Sequence, residues 1–262
     1  MLTFLHSIFS LRLFLRCTLF ISLFILTAHA SMCQAFVTRW STDGPGGSGP
    51  NQIIIPATGT YHIDWKEVSV PTNTGSLNAT GQTTVTFPHP GVYEVSITGG
   101  ITSIKFNNET AKDRLKIISL EQWGNVAWTN MDFAFTGCSG LSLNATDVPN
   151  LSAVTSMESM FYDCPFVNAP IGNWNVSNVT NMRFLFGGTQ FFNQDLSAWD
   201  VSNVTDMEGM FYYATAFNGN ISNWNVSKVT SMRYMFQSTP FNQNISAWNV
   251  SNVTNKVHMF GS

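Results

Sequence analysis

The stretch WNVSNVTNMRFLF at residues 174–186 returns as WDVSNVTDMEGMF from Trp199, WNVSKVTSMRYMF from Trp224 and WNVSNVTNKVHMF from Trp248. The tryptophans recur at steps of 25, 25 and 24, and phenylalanines at 135, 161, 186, 211, 236 and 260 keep nearly the same step. Burying one large apolar side chain contributes roughly 1.5–3 kcal/mol, too little within one such unit to offset the ordering of its backbone. The units therefore fold only by stacking, and a period in the twenties predicts a solenoid. In register, the apolar columns are Trp174/Trp199/Trp224/Trp248, Val176/Val201/Val226/Val250, Val179/Val204/Val229/Val253 and Met157/Met182/Met207/Met232, beside the Phe column. Trp-x-Val alternates like a short strand, whereas Met207, Met210 and Phe211 recur at i, i+3 and i+4 like one face of a helical turn. Each coil of about 25 residues is thus expected to hold a short strand plus a helical turn, a mixed β/α architecture.

The polar columns obey the same register. Asn168, Asn193, Asn218 and Asn242 predict a structural amide ladder. Glu158, Arg183, Glu208 and Arg233 alternate in sign one coil apart, and this favours the register more than the stability, since an exposed pair contributes only about 0.2–1 kcal/mol. Cys138 and Cys164 share a column and read as two buried thiols, with a disulfide as the alternative. The last unit is abnormal, because Lys256 replaces the column methionine and Val257 interrupts the charges.

Ahead of the repeats, 31–100 contains apolar-rich runs punctuated by Gly, Pro, Asn and Thr: NQIIIP, TYHIDWKEVSV, TTVTFPHPG and GVYEVSITGG. Tyr93, Val95 and Ile97 alternate with Glu94, Ser96 and Thr98, the two-residue period of a half-buried strand. A small antiparallel β-sandwich-like domain is expected there, joined through 101–125 as linker and N-terminal cap to an array over 126–262. The Gly/Pro-rich TDGPGGSGP at 42–50 lacks the Gly-Lys-Ser/Thr ending of a phosphate cradle and reads as a loop. Residues 1–30, with Arg12 and Arg16 before an apolar run that ends at Ala28-His29-Ala30, read as a secretory signal peptide, with an uncleaved membrane anchor as the alternative, and a membrane is expected as partner only through this segment. A net charge of −3 and a single short basic cluster, Lys112, Arg114 and Lys116 interrupted by Asp113, argue against a nucleic-acid partner.

The NVTDMEGMF type of unit, with W-[ND]-V-S ahead of it, resembles the BspA-like leucine-rich-repeat surface proteins of bacteria over about 126–262, and FPHPGVYEVSITG resembles the last hairpin of a PKD-type (polycystic-kidney-disease) β-sandwich. HIDWKEV departs from that family's Asp-Trp-Gly-Asp-Gly. The resemblance implies a leucine-rich-repeat-like solenoid in a secreted or surface-exposed protein that binds other macromolecules.

No HExxH, GxSxG or metal-spaced Cys/His set occurs, and His62, His89 and His258 stand apart from one another, so no enzyme, cofactor or metal site is expected. The sequence favours a non-enzymatic binding or adhesion protein whose partner is an extracellular protein or glycan, with a structural spacer as the alternative. The variable positions flanking the fixed columns, Arg183, Phe184, Glu208, Arg233 and Tyr234, are the candidate contacts. Phe184 and Tyr234 are either exposed anchors or core.

Overall fold

A computed structural model describes residues 34–106 and 112–261; the expected signal peptide at 1–30 lies outside the described residues. Ala35–Ser262 forms one compact unit. Its strands are β1 (Phe36–Ser41), β2 (Gln52–Ile55), β3 (Ala57–Glu67), β4 (Thr74–Thr80), β5 (Thr83–Thr86), β6 (Val92–Ile104), β7 (Ile117–Gln122), β8 (Ser142–Leu143), β9 (Phe236–Gln237) and β10 (Phe260–Gly261). Six of them make one sheet in the order β4-β3-β6-β1-β7-β8, while β2 pairs with β5 and β9 with β10. The alternation in β6 has the predicted sense: Tyr93, Val95 and Ile97 are buried and Glu94, Ser96 and Thr98 are half-buried. At the bulge between β3 and β6, Gly59 adopts φ 99°, and a side chain there would run into the carbonyl of Gly100.

The loop at 42–50 is held by two buried charges. Asp113 accepts from the N–H groups of Gly47 (2.8 Å), Ser48 (3.1 Å) and Ile54 (2.6 Å) and from the Ser48 hydroxyl (2.5 Å). Lys116 Nζ donates to the carbonyls of Gly49 (2.8 Å) and Gln52 (2.9 Å) and to Ser48 Oγ (2.9 Å). A Cβ at Gly46 would strike both side chains, so the chain approaches them this closely only as glycine. The basic cluster of the sequence therefore contains a lysine wholly committed inside the fold.

Over the repeats the structure corrects the expected architecture. Among the described residues there is no α-helix, and the one helical element is a 3-10 turn at Lys112–Leu115. The fold is almost all β and turn, and the leucine-rich-repeat-like solenoid of strand plus helical turn does not form. In the segment predicted helical, Met210 N–H bonds to Met207 O (3.2 Å) within the repeat, but Phe211 N–H bonds to Met235 O (3.0 Å) in the next one. Gly209 (φ 60°) and Tyr213 (φ 54°) adopt left-handed backbone, which a helix with φ near −63° does not admit. The apolar spacing i, i+3, i+4 is thus produced by alternating turns. The Trp-x-Val segment is not a strand either: turn bonds flank it, Trp199 N–H to Leu196 O (3.0 Å) and Val204 N–H to Val201 O (2.9 Å). Strand pairing between repeats shrinks to single parallel bridges, Ser156↔Asn181, Asn181↔Asp206, Asp206↔Ser231 and Ser231↔Asn255, except where β9 meets β10.

Side chains complete what these sparse bridges lack. Phe135, Phe161, Phe186, Phe211, Phe236 and Phe260 stack with centroids 5.3–6.0 Å apart. Phe106 closes the near end against Phe135 at 6.4 Å. The indole N–H groups of Trp199, Trp224 and Trp248 reach back to the carbonyls of Ile171 (3.0 Å), Leu196 (2.9 Å) and Ile221 (3.2 Å). The amide column is a ladder, with Asn193, Asn218 and Asn242 N–H bonding to the side-chain oxygens of Asn168, Asn193 and Asn218 at 2.8–3.1 Å. Asn175, Asp200, Asn225 and Asn249 each accept the N–H two residues on at 3.0–3.2 Å, so the dense Asn/Asp-Val-Ser signals encode Asx turns. Cys138 and Cys164 are free, buried thiols.

Candidate recognition surface

One column of left-handed residues runs along the repeats: Phe133, Ser159, Phe184, Gly209, Tyr234 and His258, with φ of 50–60°. The N–H of Phe184 bonds to Glu208 O (2.8 Å) and that of Tyr234 to Val257 O (3.1 Å), so the backbone geometry here serves the contact between repeats. Three positions on lies a second column, Tyr162, Gly187, Tyr212 and Gln237.

Large and small residues alternate along the first column as far as Tyr234 and along the second as far as Tyr212. Phe184 is flanked in its own column by Ser159 and Gly209, and its ring occupies the space a Cβ at Gly209 would take. The ring of Tyr162 likewise covers Gly187. The outcome is a ridge of half-buried Tyr162, Phe184, Tyr212 and Tyr234 that ends on exposed His258, each centroid 5.7–5.9 Å from the next. Tyr213 packs on Tyr212 at 4.6 Å and stays 47% exposed. Two depressions adjoin the ridge and share Tyr162, one of about 350 Å³ reaching Arg114 and Phe184, the other of about 230 Å³ reaching Tyr212 and Tyr213.

The five positions singled out from the sequence lie on or beneath this ridge. Arg233 sits over the Tyr234 ring at 4.4 Å and donates to its hydroxyl at 2.6 Å. Arg183 sits over the Phe184 ring at 5.4 Å and pairs with Glu208 at 3.2 Å. Glu208 is only 9% exposed, which makes it a support for Arg183 and not a contact. Among the described residues this is the one ion pair of the charge column; Glu158 accepts instead from Asn181 Nδ2 at 3.2 Å. Burial, followed by the neighbouring Asp163 charge, raises the Tyr162 phenol above its ordinary range, and burial also raises Asp163. Tyr162 therefore stays protonated and able to donate near neutral pH.

Tyr162, Tyr212 and His258 are additions to the sequence-derived set. The signal for Tyr162 and Tyr212 was present as FY, FG, FY and FQ at Phe161, Phe186, Phe211 and Phe236, but Gly187 and Gln237 break the aromatic series. A second exposed aromatic feature, Phe166 stacked on Phe191 at 5.7 Å with 58% and 54% exposure, lies in another column that ends at Ala216. Among the described residues no group of three or more His, Cys, Asp or Glu is placed to hold a metal ion, and no helix is long and apolar enough to cross a membrane.

Residues 129–240 and 199–262 match the family described as "Mycoplasma protein of unknown function, DUF285". The two matches together take in just over half of the chain, and the chain belongs to that family. Neither the curated proteins nor the solved structures give a match.

Proposed function

We propose that this is a non-enzymatic binding protein of the cell exterior, and that the ridge from Tyr162 to His258 is its contact surface for an extracellular protein. One observation carries the reading. A bulky residue at φ above zero costs on the order of 1 kcal/mol or more, and Ser159 and Gly209 occupy the same column without a ring. The backbone therefore does not require Phe184 and Tyr234, and aromatic side chains set in strained positions, half-exposed and backed by arginines, are the residue types that dominate binding energy at protein interfaces. The leader-like residues 1–30 and the resemblance to BspA-like surface proteins support an exterior location.

The test is binding of the purified protein to an array of extracellular-matrix proteins and polysaccharides, beside the double variant Phe184→Ser/Tyr234→Ser. Serine at φ 53° already occurs in this column at Ser159, so the variant is expected to fold. Binding to one or more proteins, lost in the variant, supports the reading. Protein binding that survives in the variant, or binding to none of the proteins, would overturn it.

A further inference from the structure

A further cavity lies away from the ridge, where the Trp column begins. It has about 670 Å³ and is walled by Trp123, Trp174, Thr146, Asn173, Gln194 and Asp195 over an apolar floor that includes Ile171. That volume falls in the range of small-ligand sites, roughly 300–1,000 Å³.

Its origin is a missing step in the repeat. Met157 and Met182 are 25 residues apart, and the same step back from Trp174 lands on Pro149, so that repeat has no column indole. The segment before it bonds to β7 instead: Asn144 and Ala145 N–H both donate to Leu120 O (2.8 and 3.1 Å), and Asp147 accepts from Trp123 and Gly124 N–H (3.0 and 2.8 Å). The 28-residue reach of Trp199 to Ile171 and of Trp224 to Leu196 leads from Trp174 to the Thr146 carbonyl, and among the described residues the Trp174 indole makes no bond to it. Trp199, Trp224 and Trp248 all spend their indole N–H on the preceding repeat. Trp174, only 5% exposed, has no such partner among the described residues and lines the cavity with an unspent donor.

We propose that this cavity binds a neutral saccharide. The Trp174 N–H suits a sugar hydroxyl as acceptor. Asp195, held ionised by the Ser197 hydroxyl and N–H, offers its remaining oxygen to a hydroxyl donor. The Thr146 hydroxyl and the Asn173 amide make no side-chain hydrogen bond among the described residues and remain available in the wall. No basic residue lines the cavity, and two carboxylates do, which disfavours a phosphate or sulfate ester. The mix of an apolar floor with a few directed polar groups matches a ligand that has both CH and OH faces.

The experiment is a ¹H–¹⁵N titration of the protein with maltose, cellobiose, lactose and N,N′-diacetylchitobiose, with glucose 6-phosphate as the anionic comparison. The chain has 8 tryptophans, and Trp174→Phe assigns the relevant indole resonance by its loss. At least one neutral sugar should move the Trp174 indole resonance and leave those of Trp199 and Trp224, already bonded, in place. Trp174→Phe and Asn173→Ala should each weaken that sugar at least about fivefold, as losing one hydrogen bond implies. A Trp174 resonance unmoved by all four sugars, unchanged affinity in both variants, or equal response to glucose 6-phosphate overturns the proposal. Phe184→Ser/Tyr234→Ser leaves this cavity untouched, so its outcome is separate from that of the ridge.

Discussion

Replacing each column tryptophan by phenylalanine yields an internally controlled prediction. The four indoles are similarly buried, with Trp174 5%, Trp199 3% and Trp224 4% exposed and Trp248 7%. Each substitution removes the same ring atoms and leaves a comparable void. The difference is the indole hydrogen bond, which Trp199 and Trp224 make at 3.0 and 2.9 Å and Trp174 does not. The accepting carbonyl is not orphaned by the change, because Ile171 O also receives Trp174 N–H (3.1 Å) and Leu196 O receives Trp199 N–H (3.0 Å). Only the net value of one hydrogen bond is at stake, about 0.5–1.5 kcal/mol, and not the larger penalty of a stranded buried group. Urea unfolding should place Trp199→Phe and Trp224→Phe about 1 kcal/mol below Trp174→Phe, with equal slopes. Equal losses at all three positions, or the largest loss at Trp174, would refute the claim that these indoles tie one repeat to the next.

Asp113→Ala removes the acceptor of four donors in the 42–50 clasp. It should cost about 3 kcal/mol or more in urea unfolding, since hydrogen bonds to a charged group contribute about 1.5–3 kcal/mol each and do not add fully. Asp195 and Asp200 are held below the ordinary aspartate value of 3.8 by the hydroxyl and N–H of Ser197 and Ser202. Their folded-state contribution is therefore present above that value and is lost as pH falls through the lower folded values. The double variant Asp195→Asn/Asp200→Asn should keep its turns, as Asn220 and Asn175 do in the same columns, and lose less stability than the parent between about pH 4 and pH 2 in acid unfolding. Burial raises the thiols of Cys138 and Cys164 well above their ordinary range. Peptide mapping after iodoacetamide at about pH 8 should find both unmodified in the native protein and both alkylated in urea.

Periodicity was a reliable guide to which residues share an environment and a poor guide to the backbone that puts them there. The Phe, Trp, Val and Asn columns are legible because identical neighbours stack on one another, and the runs around Ile53, Ile63, Val85 and Val95 are legible as strands because their burial alternates. Met207, Met210 and Phe211 look helical because a chain that alternates turn bonds with inter-repeat bonds buries the same i, i+3, i+4 set. The left-handed φ at Phe184 and Tyr234 was invisible, since neither is a residue that signals it, although Gly209 in the same column was a clue. The burial of Lys116 was not legible in its basic cluster because its partners, the carbonyls of Gly49 and Gln52, are more than 60 residues away. The ridge was half-legible: Phe184 and Tyr234 stood out by varying within a constant frame, while Tyr162 and Tyr212 were concealed by the glycine between them in the column.

The most direct test of the ridge as contact surface is a serine scan of Tyr162, Phe184, Tyr212 and Tyr234, each measured for affinity to the protein partner recovered from the array and for unfolding midpoint. The exposed stack of Phe166 and Phe191 serves as the comparison. The account predicts losses of tenfold or more, about 1.4 kcal/mol, at two or more ridge positions with midpoints that do not track the losses, and no change for Phe166→Ser/Phe191→Ser. Full affinity across the ridge, with binding lost at Phe166 and Phe191, would contradict it.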